Sequence, residues 1–432
     1  SLDAPSWYSF ISACILALLL LWYGLHRAIN SKWPLVTSFI MRHLVYPNIF
    51  PRIPFVGTAT RLKVLLVSLY LLANFLGTII GVRADISSRA ATMSIINLVP
   101  LLCGPRLSLV TNLLGISLRS SIGSHQWFGR TAIAQMLVHM VVSLTESSAF
   151  TWSMNSLTGV TQASSALGFI FVLSVRIVRG TLYEWFLNSH LFLAVVVLIA
   201  LWRHVASKKA AELFLRIGIS LWTIATSVHW VLFAFRNFVL GRPSAMAVVS
   251  RISNKDESLL DPSNMLQVDV TVARPWRVQA GQFVFLSIPR LGLFTGLRGH
   301  PFMISWWERD IRGLKISLLV QSRGGFTAEL DRHVNQNLLA FIDGPYGVNY
   351  DFGEYGTVIM IATGIGIAAH IPFIKDLISG YNSCTVKTRR IRLVWAIEEK
   401  CQEIWVKHWM DELLESDTGY VSQPVIPLRA FY

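Results

Sequence analysis

Long apolar runs fill the first 235 residues of the chain, and shorter alternating runs fill the rest. A run of about 20 apolar residues is long enough to cross a membrane as a helix. We predict seven such helices, near residues 7–25, 62–82, 87–103, 125–146, 164–179, 185–205 and 212–235. The third is short, because Pro100 and Pro105 interrupt its end. The pattern predicts a helical membrane region followed by a soluble region.

The soluble region changes character near residue 355. Before this point, short β-rich runs are broken by glycine and proline, which is typical of a small antiparallel barrel. After it, the pattern predicts a buried strand from an apolar run, then a glycine turn, a helix and a second strand. This order is typical of the start of a parallel nucleotide-binding sheet. We expect four parts, which are an N-terminal span with its connection (1–60), a transmembrane domain (61–240), a barrel (241–350) and an α/β nucleotide-binding domain (351–432). The last part has roughly half the residues that such a sheet needs, so we expect it to be incomplete.

Composition supports the membrane interpretation. Hydrophobic residues make up 53% of the 432 residues and charged residues only 14%, and the mean hydropathy is +0.51. No basic stripe with interleaved aromatic residues accompanies the net charge of +14, so nucleic acid is not an expected partner. The cysteines form no Cys-x-x-Cys pair, so neither a zinc site nor an iron–sulfur site is predicted; they are Cys14, Cys103, Cys384 and Cys401.

Lysine and arginine in the connections predict the orientation in the membrane. The connection 26–63 carries six of these residues and is expected in the cytosol, whereas the connection 147–163 carries none and is expected on the far side. On this basis the N-terminus lies outside and the soluble region lies in the cytosol. A cationic cluster of Arg203, Lys208 and Lys209 falls on the far side, against the usual bias.

Four histidines in the apolar runs stand in two pairs with one spacing. His125 and His139 are 14 residues apart, and so are His190 and His204. At 3.6 residues per turn, both members of a pair face the same side of their helix, roughly 21 Å apart along its axis. The two helices are both even-numbered spans and run parallel, so His125 is expected opposite His190, and His139 opposite His204. Facing imidazoles in a membrane predict two b-type haems, each with two axial histidines. The alternative is that each histidine separately hydrogen-bonds a neighbouring helix.

The soluble region contains four motifs that bear on function. They are His300–Ser305 (HPFMIS), Arg323–Thr327 (RGGFT), Gly344–Gly347 (GPYG) and Ala362–Pro372 (ATGIGIAAHIP). With the histidine pairs, and in this order, they make the chain resemble the ferric reductase and NADPH oxidase superfamily, most of all the fungal metalloreductases. The resemblance covers nearly the whole chain. It implies a multi-domain protein in which a helical transmembrane bundle binds two b haems. A ferredoxin-reductase-like module follows, with an antiparallel β-barrel for FAD and a partial α/β domain for NADPH.

The resemblance also implies which residues contact the two nucleotide cofactors. For FAD they are His300, Pro301, Phe302, Ser305, Arg323, Gly324, Gly325, Phe326 and Thr327. For NADPH they are Gly344, Pro345, Thr363, Gly364, Gly366 and Ile367. Glycines and a helix N-terminus suit phosphate groups, and Arg389 and Arg390 either hold the 2′-phosphate of NADPH or form a solvated charge pair. Met303 stands where the family has threonine or serine, so we expect a different flavin contact there, with Ser305 on the same strand face.

These expectations combine into a plasma-membrane ferric-chelate reductase. Electrons from cytosolic NADPH would pass by way of FAD to the inner haem (His125 and His190) and then to the outer haem (His139 and His204). The acceptor on the far side would be ferric iron as a chelate or siderophore, or cupric ion. Because the haems supply the conduction path, no catalytic acid, base or nucleophile is expected.

The sequence leaves several alternatives open. The same arrangement of haems and flavin would serve an oxidase that reduces O₂ to superoxide. It would also serve a haem-bearing subunit without NADPH activity, and Met303 and the short last domain favour that second alternative. A seven-span receptor or transporter would carry no haem. The cationic cluster attracts an anionic chelate or haem propionates, or its side chains snorkel to the interface. No protein partner or oligomeric state is indicated.

Overall fold

The computed structural model divides the chain into two compact units, Ser1–Thr226 and Ser227–Tyr432. The residues that it describes are 5, 8, 38–53, 57–80, 86–102, 111, 117–146, 154–175, 177–178, 183–205, 208–241, 243–252, 264–292, 296, 298–310, 313–347, 350–419 and 422–429. Except for Tyr8, the predicted span 7–25 lies outside the described residues.

A short hairpin precedes the long helices of the first unit. Its antiparallel strands are β1 (Asn48–Ile53) and β2 (Gly57–Thr60). The helices are α1 (Arg61–Ile79), α2 (Ile86–Leu102), α3 (Leu118–Glu146), α4 (Met154–Leu173), α5 (Tyr183–Val205) and α6 (Lys209–Asn237). Thr60 caps α1 by accepting a hydrogen bond from the Lys63 N–H. The last turns of α6 belong to the second unit.

Helix α4 differs most from the sequence prediction, which began it at 164 rather than at Met154. Its first turns are rich in Asn, Ser, Thr and Gln, and hydropathy marks only the apolar part of a helix. Among the described helices, α1, α6 and the Trp185–Val205 part of α5 are long and apolar enough to cross a membrane. Helix α2 and the Thr161–Leu173 part of α4 are apolar but shorter.

Polar side chains hold the first three helices together. The Asn97 amide donates to Asn74 Oδ1 at 2.6 Å and to Gln135 Oε1 at 2.8 Å. The Gln135 amide donates in turn to Asn74 Oδ1 at 3.1 Å. All three residues are buried, and in a lipid environment such groups must find partners within the protein. Helix α2 packs along α3, and α4 packs along α5.

A curled antiparallel sheet forms the first half of the second unit. Its strands are β3 (Met246–Arg251), β4 (Met265–Thr271), β5 (Phe283–Ser287), β6 (His300–Asp310), β7 (Gly313–Gln321), β8 (Asn337–Leu339) and β9 (Phe341–Tyr346). They are arranged in the order β8-β3-β4-β7-β6-β5-β9. Helix α7 (Phe326–Asp331) lies between β7 and β8 in sequence. The inward residues of these strands, such as Val268, Leu286 and Leu318, form one apolar core.

A parallel three-stranded sheet forms the second half. Its strands β10 (Thr357–Thr363), β11 (Arg390–Ile397) and β12 (Ser422–Arg429) are adjacent in that order, with helices α8 (Ile371–Asn382) and α9 (Lys407–Ser416) in the connections. The prediction of a fully buried first strand was wrong, because β10 is buried on one face only. Ile359 and Ile361 are 62% and 70% exposed, since the described helices cover the opposite face, on which Val358 and Met360 lie.

Candidate functional site

The paired histidines of α3 and α5 face each other at two levels. The ring centres of His125 and His190 are 6.1 Å apart, and those of His139 and His204 are 6.3 Å apart. In each pair the ring planes make an angle of 53°. Two imidazoles on opposite sides of one metal ion, with metal–nitrogen bonds of about 2 Å, place their ring centres roughly 6 Å apart. Both pairs therefore have the separation that an axially coordinated haem iron needs.

The hydrogen bonds of these rings argue against the simpler alternative of separate histidine contacts. The Nδ1 atoms of His125, His190 and His204 are buried and have no hydrogen-bond partner among the residues that the structure describes. Within the described chain, the Nδ1 of His139 alone among the four bonds a neighbouring helix, at Ser87 of α2. The described residues contain no group of three or more His, Cys, Asp or Glu that could hold a metal ion. Each pair thus offers two ligands and suits a metal whose other ligands come from a macrocycle.

Cationic residues lie at the end of the bundle that carries His139 and His204. Lys208 lies directly before α6, three residues after the end of the helix that carries His204. Arg203, Lys208 and Lys209 are exposed. Arg216, about two turns further along α6, is already paired with Glu212 at 2.5 Å. The arrangement gives this end of the bundle a positive potential that attracts anions.

The two motifs expected at FAD meet in the sheet. His300 begins β6 and stacks on the ring of Phe326, the first residue of α7, with a centroid distance of 4.1 Å and an angle of 17°. Phe326 is 2% exposed, and Phe302 lies 6.1 Å from it. Pro301 pairs with Phe285 of β5. The start of β6 and the start of α7 are thereby fixed against each other.

The Gly324–Gly325 turn is held by the Thr327 hydroxyl. Its oxygen accepts from the Arg323 N–H at 3.0 Å and donates to the Gly324 carbonyl at 3.0 Å. Gly325 has φ 54° and ψ −126°, a conformation that a residue with a Cβ rarely adopts. The Arg323 guanidinium bonds the Gln321 side chain at 2.7 and 2.9 Å, so its charge is anchored beside the turn.

Ser305 departs from the flavin-facing position expected for it. Period two along a strand put it on the face of Met303, but the register of β6 shifts between Ile304 and Trp306. Ser305 is 0% exposed and its hydroxyl has no partner in the described part of the chain, whereas Met303 is half-buried. The structure therefore leaves Met303, and not Ser305, open toward a ligand. A strand irregularity of this kind leaves no mark in the alternation of residue types.

The turn after β10 has the geometry of a phosphate site. Thr363 ends the strand, and a 3₁₀ turn over Gly364–Ala369 leads into α8. Gly364 has φ 48°, and no atom lies within 4 Å of where a Cβ would stand on Gly364 or on Gly366. The backbone is therefore open to an approaching group there. Ile367, which was also expected at the nucleotide, is 0% exposed and belongs to the core.

The sheet separates the expected 2′-phosphate ligands from this turn. Arg390 begins β11 and pairs with Thr357, the first residue of β10, and Arg389 directly precedes it. The glycine turn follows the other end of β10, six residues or roughly 20 Å further along. The alternative that Arg389 and Arg390 form a solvated charge pair fits this position, because both are exposed and strand direction puts them at the edge of the sheet opposite the turn. Arg389 also lies over the Tyr381 ring at 5.1 Å.

Gly344 and Pro345 lie in β9, next to β5. A Cβ on Gly347 would lie 2.5 Å from the Gly281 carbonyl oxygen, and the φ of Gly347 is 125°, so only glycine fits there.

Tyr346 donates its hydroxyl to Asp343, and Asp343 Oδ2 lies 3.7 Å from Nε2 of His229, which is 2% exposed. Sequence analysis offered no signal for this contact, because His229 is an isolated histidine in an apolar helix.

Two charged residues of α8 join the nucleotide sheet to the curled sheet, and they too were missed. Asp376 accepts from the Ala280 N–H at 3.1 Å, and Lys375 donates to the Trp307 carbonyl at 2.8 Å. Burial raises the pKa of Asp376, which the Ala280 N–H opposes, and burial lowers the pKa of Lys375. Adjacent opposite charges in an otherwise apolar helix were the available signal.

His370 also fixes the turn. Its Nε2 lies 3.1 Å from the Ile361 carbonyl, so this nitrogen carries the proton and donates. Burial lowers the pKa of His370, and the bond to Ile361 partly opposes that shift. The side chain ties the start of α8 to β10.

Three stretches of the chain match known protein families. Residues 90–201 match the family described as ferric reductase like transmembrane component. Residues 250–350 match the FAD-binding domain, and residues 355–423 match the ferric reductase NAD binding domain.

Several fungal and plant proteins are similar to the chain. The probable cell surface ferric reductase kap2 of Aspergillus oryzae is 26% identical over 322 residues, 67% of this chain and 40% of that protein. Ferric/cupric reductase transmembrane component 2 of Saccharomyces cerevisiae is 25% identical over 296 residues, 66% of this chain and 38% of that protein. The chain thus spans about two fifths of the length of these relatives. Among solved structures, the Amycolatopsis cytochrome P450 reductase GcoB matches 44% of this chain and 54% of its own, at 17% identity and a TM-score of 0.32.

Proposed function

We propose that the chain, whose parts match the ferric reductase transmembrane component, an FAD-binding domain and a ferric reductase NAD binding domain, is a transmembrane oxidoreductase that reduces ferric iron with electrons from a nicotinamide nucleotide. It would hold FAD in the curled sheet and two b-type haems between α3 and α5. The observation that carries this proposal is the pair of histidine separations, 6.1 and 6.3 Å. We assign His125 and His190 to one haem, and His139 and His204 to the other.

In this activity the protein itself positions the cofactors and keeps water away from the path of the electrons. When bound, FAD turns a hydride into single electrons and the haems conduct them. Helices α3 and α5 set the two histidine levels roughly 21 Å apart, which is most of the hydrocarbon thickness of about 30 Å. The apolar helices exclude water from the path between them. Phe326 holds the His300 ring at the flavin motif, and the open backbone at Gly364 and Gly366 admits a pyrophosphate.

We place the soluble region in the cytosol and the 139/204 pair toward the far side of the plasma membrane. Support comes from the charge asymmetry of the connections, six Lys and Arg in 26–63 against none in 147–163. The acceptor would then meet the bundle beside Lys208, and an anionic ferric chelate is the form of iron that suits this potential. The name of the yeast relative includes cupric ion, and we propose that cupric ion is a second acceptor, reduced at the same end of the bundle.

The nucleotide donor has two candidates that differ in charge. The family resemblance supports NADPH, which carries a 2′-phosphate. The edge that holds the glycine turn, however, has Glu398 and Glu399 directly after β11, and both are exposed. A carboxylate at this place suits a ribose 2′-hydroxyl and repels a phosphate, which supports NADH. Calorimetric binding of NADP⁺ and NAD⁺ to the chain decides between them by the ratio of the two dissociation constants.

Anaerobic reoxidation tests the proposed activity without depending on the donor. The purified protein is reduced with dithionite, freed of reductant, and mixed with ferric citrate and a ferrous-specific chelator. We expect the haem absorbance to return to its oxidised form, with one ferrous ion captured for each haem and two for each FAD that the preparation holds. Haems that ferric citrate leaves reduced, but that O₂ reoxidises with release of superoxide, would instead identify an oxidase.

Removing the charge of Lys208 is expected to weaken the reaction with anionic chelates selectively. For Lys208→Ala we expect KM for ferric citrate to rise about threefold to tenfold at low salt, and the difference to shrink above about 0.2 M salt. A cationic ferric chelate serves as the matched control and should react no more slowly with the variant. An equal loss for both chelates would show that Lys208 acts on the bundle and not on the acceptor.

A further inference from the structure

One of the four paired histidines is held differently from the others. His139 Nδ1 lies 2.8 Å from the Ser87 hydroxyl and 3.0 Å from the Ser87 carbonyl oxygen. A carbonyl oxygen can only accept, so Nδ1 must carry the ring proton. In the neutral ring Nε2 then keeps its lone pair, which is the form a metal ligand needs. Ser87 thus selects the tautomer of His139.

Ser87 also fixes the angle of the ring. It lies in the first turn of α2, and its hydroxyl is 2.6 Å from the hydroxyl of Ser143 on α3. Ser143 is one turn beyond His139 and lies 3.5 Å from the same Nδ1. The imidazole is therefore held from a neighbouring helix and from its own. In the described chain, the Nδ1 atoms of His125, His190 and His204 have no such partner.

From this asymmetry we propose that Ser87 is a positioning residue that sets the electronic character of one haem. The inference rests on the proposed function, because it takes His139 as an axial ligand. A hydrogen bond accepted from Nδ1–H makes the imidazole a stronger donor to the metal. A stronger donor favours ferric iron and lowers the reduction potential of that haem. Ser87 thereby separates the potential of the 139/204 haem from that of the 125/190 haem.

Three variants isolate the hydroxyl. Ser87→Ala removes it and keeps the backbone carbonyl contact, and Ser87→Thr restores a hydroxyl at the same place. Ser94→Ala is the matched control, because Ser94 also bonds α2 to α3, at 2.8 Å from its hydroxyl to the Ala132 carbonyl, and does so without touching a paired histidine. The full chain is purified in detergent for each. The readouts are haem per chain, the two midpoint potentials by spectroelectrochemistry, and the ferric low-spin signals by electron paramagnetic resonance.

For Ser87→Ala we expect two haems per chain, an upward shift of one midpoint potential, and a change in one of the two ferric signals. Ser87→Thr should return both values toward those of the unmodified protein, and Ser94→Ala should change neither. Loss of one haem in Ser87→Ala, with both retained in Ser94→Ala, also supports the role. Unchanged potentials and signals in Ser87→Ala with both haems bound would overturn it. Absence of haem from the unmodified protein would instead overturn the proposed function on which it rests.

Discussion

Replacing His139 or His204 with alanine is expected to remove one of the two haems and to abolish ferric iron reduction, while the haem at His125 and His190 stays. In the proposed site each ring would supply one of two protein ligands, with a partner ring centre 6.3 Å away. Its loss leaves a single histidine to hold the macrocycle. The second pair lies roughly 21 Å along the helices, so its ligands are not disturbed.

The measurement is haem per chain by the pyridine haemochrome method, with ferric citrate reduction on the same preparations. We expect two haems to fall to one, and reduction to fall to background. His43→Ala is the control, because His43 is exposed and belongs to neither pair, and it should keep both haems and full activity. Both haems retained in His139→Ala and in His204→Ala would disprove the assigned ligands.

Phe326→Ala is expected to destabilise the second unit by about 3–5 kcal/mol and to release FAD. The ring is 2% exposed and lies in the core of the curled sheet, so its removal leaves a cavity. It also removes the surface on which His300 stacks at 4.1 Å. Two motifs that we assign to FAD would lose their common contact, and the His300 ring would no longer be fixed.

FAD per chain and thermal unfolding are the readouts for this variant. Trp409→Ala is the matched control, because Trp409 is 1% exposed and stacks on Trp306 at 6.0 Å in a different apolar core from the one that holds Phe326. It should lower the unfolding temperature by a similar amount and still retain FAD below that temperature. If Phe326→Ala bound FAD as tightly as the unmodified protein, the stacked pair would have no part in the flavin site.

The elements that sequence analysis recovered best depend on local periodicity. The family resemblance and the fold class are confirmed by the matches over residues 90–201, 250–350 and 355–423 and by the two sheets. The four histidines lie in two facing pairs because a 14-residue spacing puts residues on one helix face whatever the packing. Apolar runs located most described helices, because hydropathy is a property of each segment alone.

The residues that were misplaced depend on tertiary structure. Ser305 turns inward at an irregularity of β6, and Ile367 lies in the core. Ser87, the partner of His139, lies 52 residues away in sequence. Contacts between residues far apart in sequence depend on how helices and strands pack, and the packing cannot be read from a single sequence.

The reduced-minus-oxidised optical spectrum of the detergent-purified protein, with haem counted per chain, tests the central claim most directly. Two facing histidine pairs predict two low-spin b-type haems per chain and the sharp absorbance bands that accompany them. That result would establish the conduction path on which the proposed function depends. A purified, folded chain without haem absorbance would contradict it, and the paired histidines would then need another explanation.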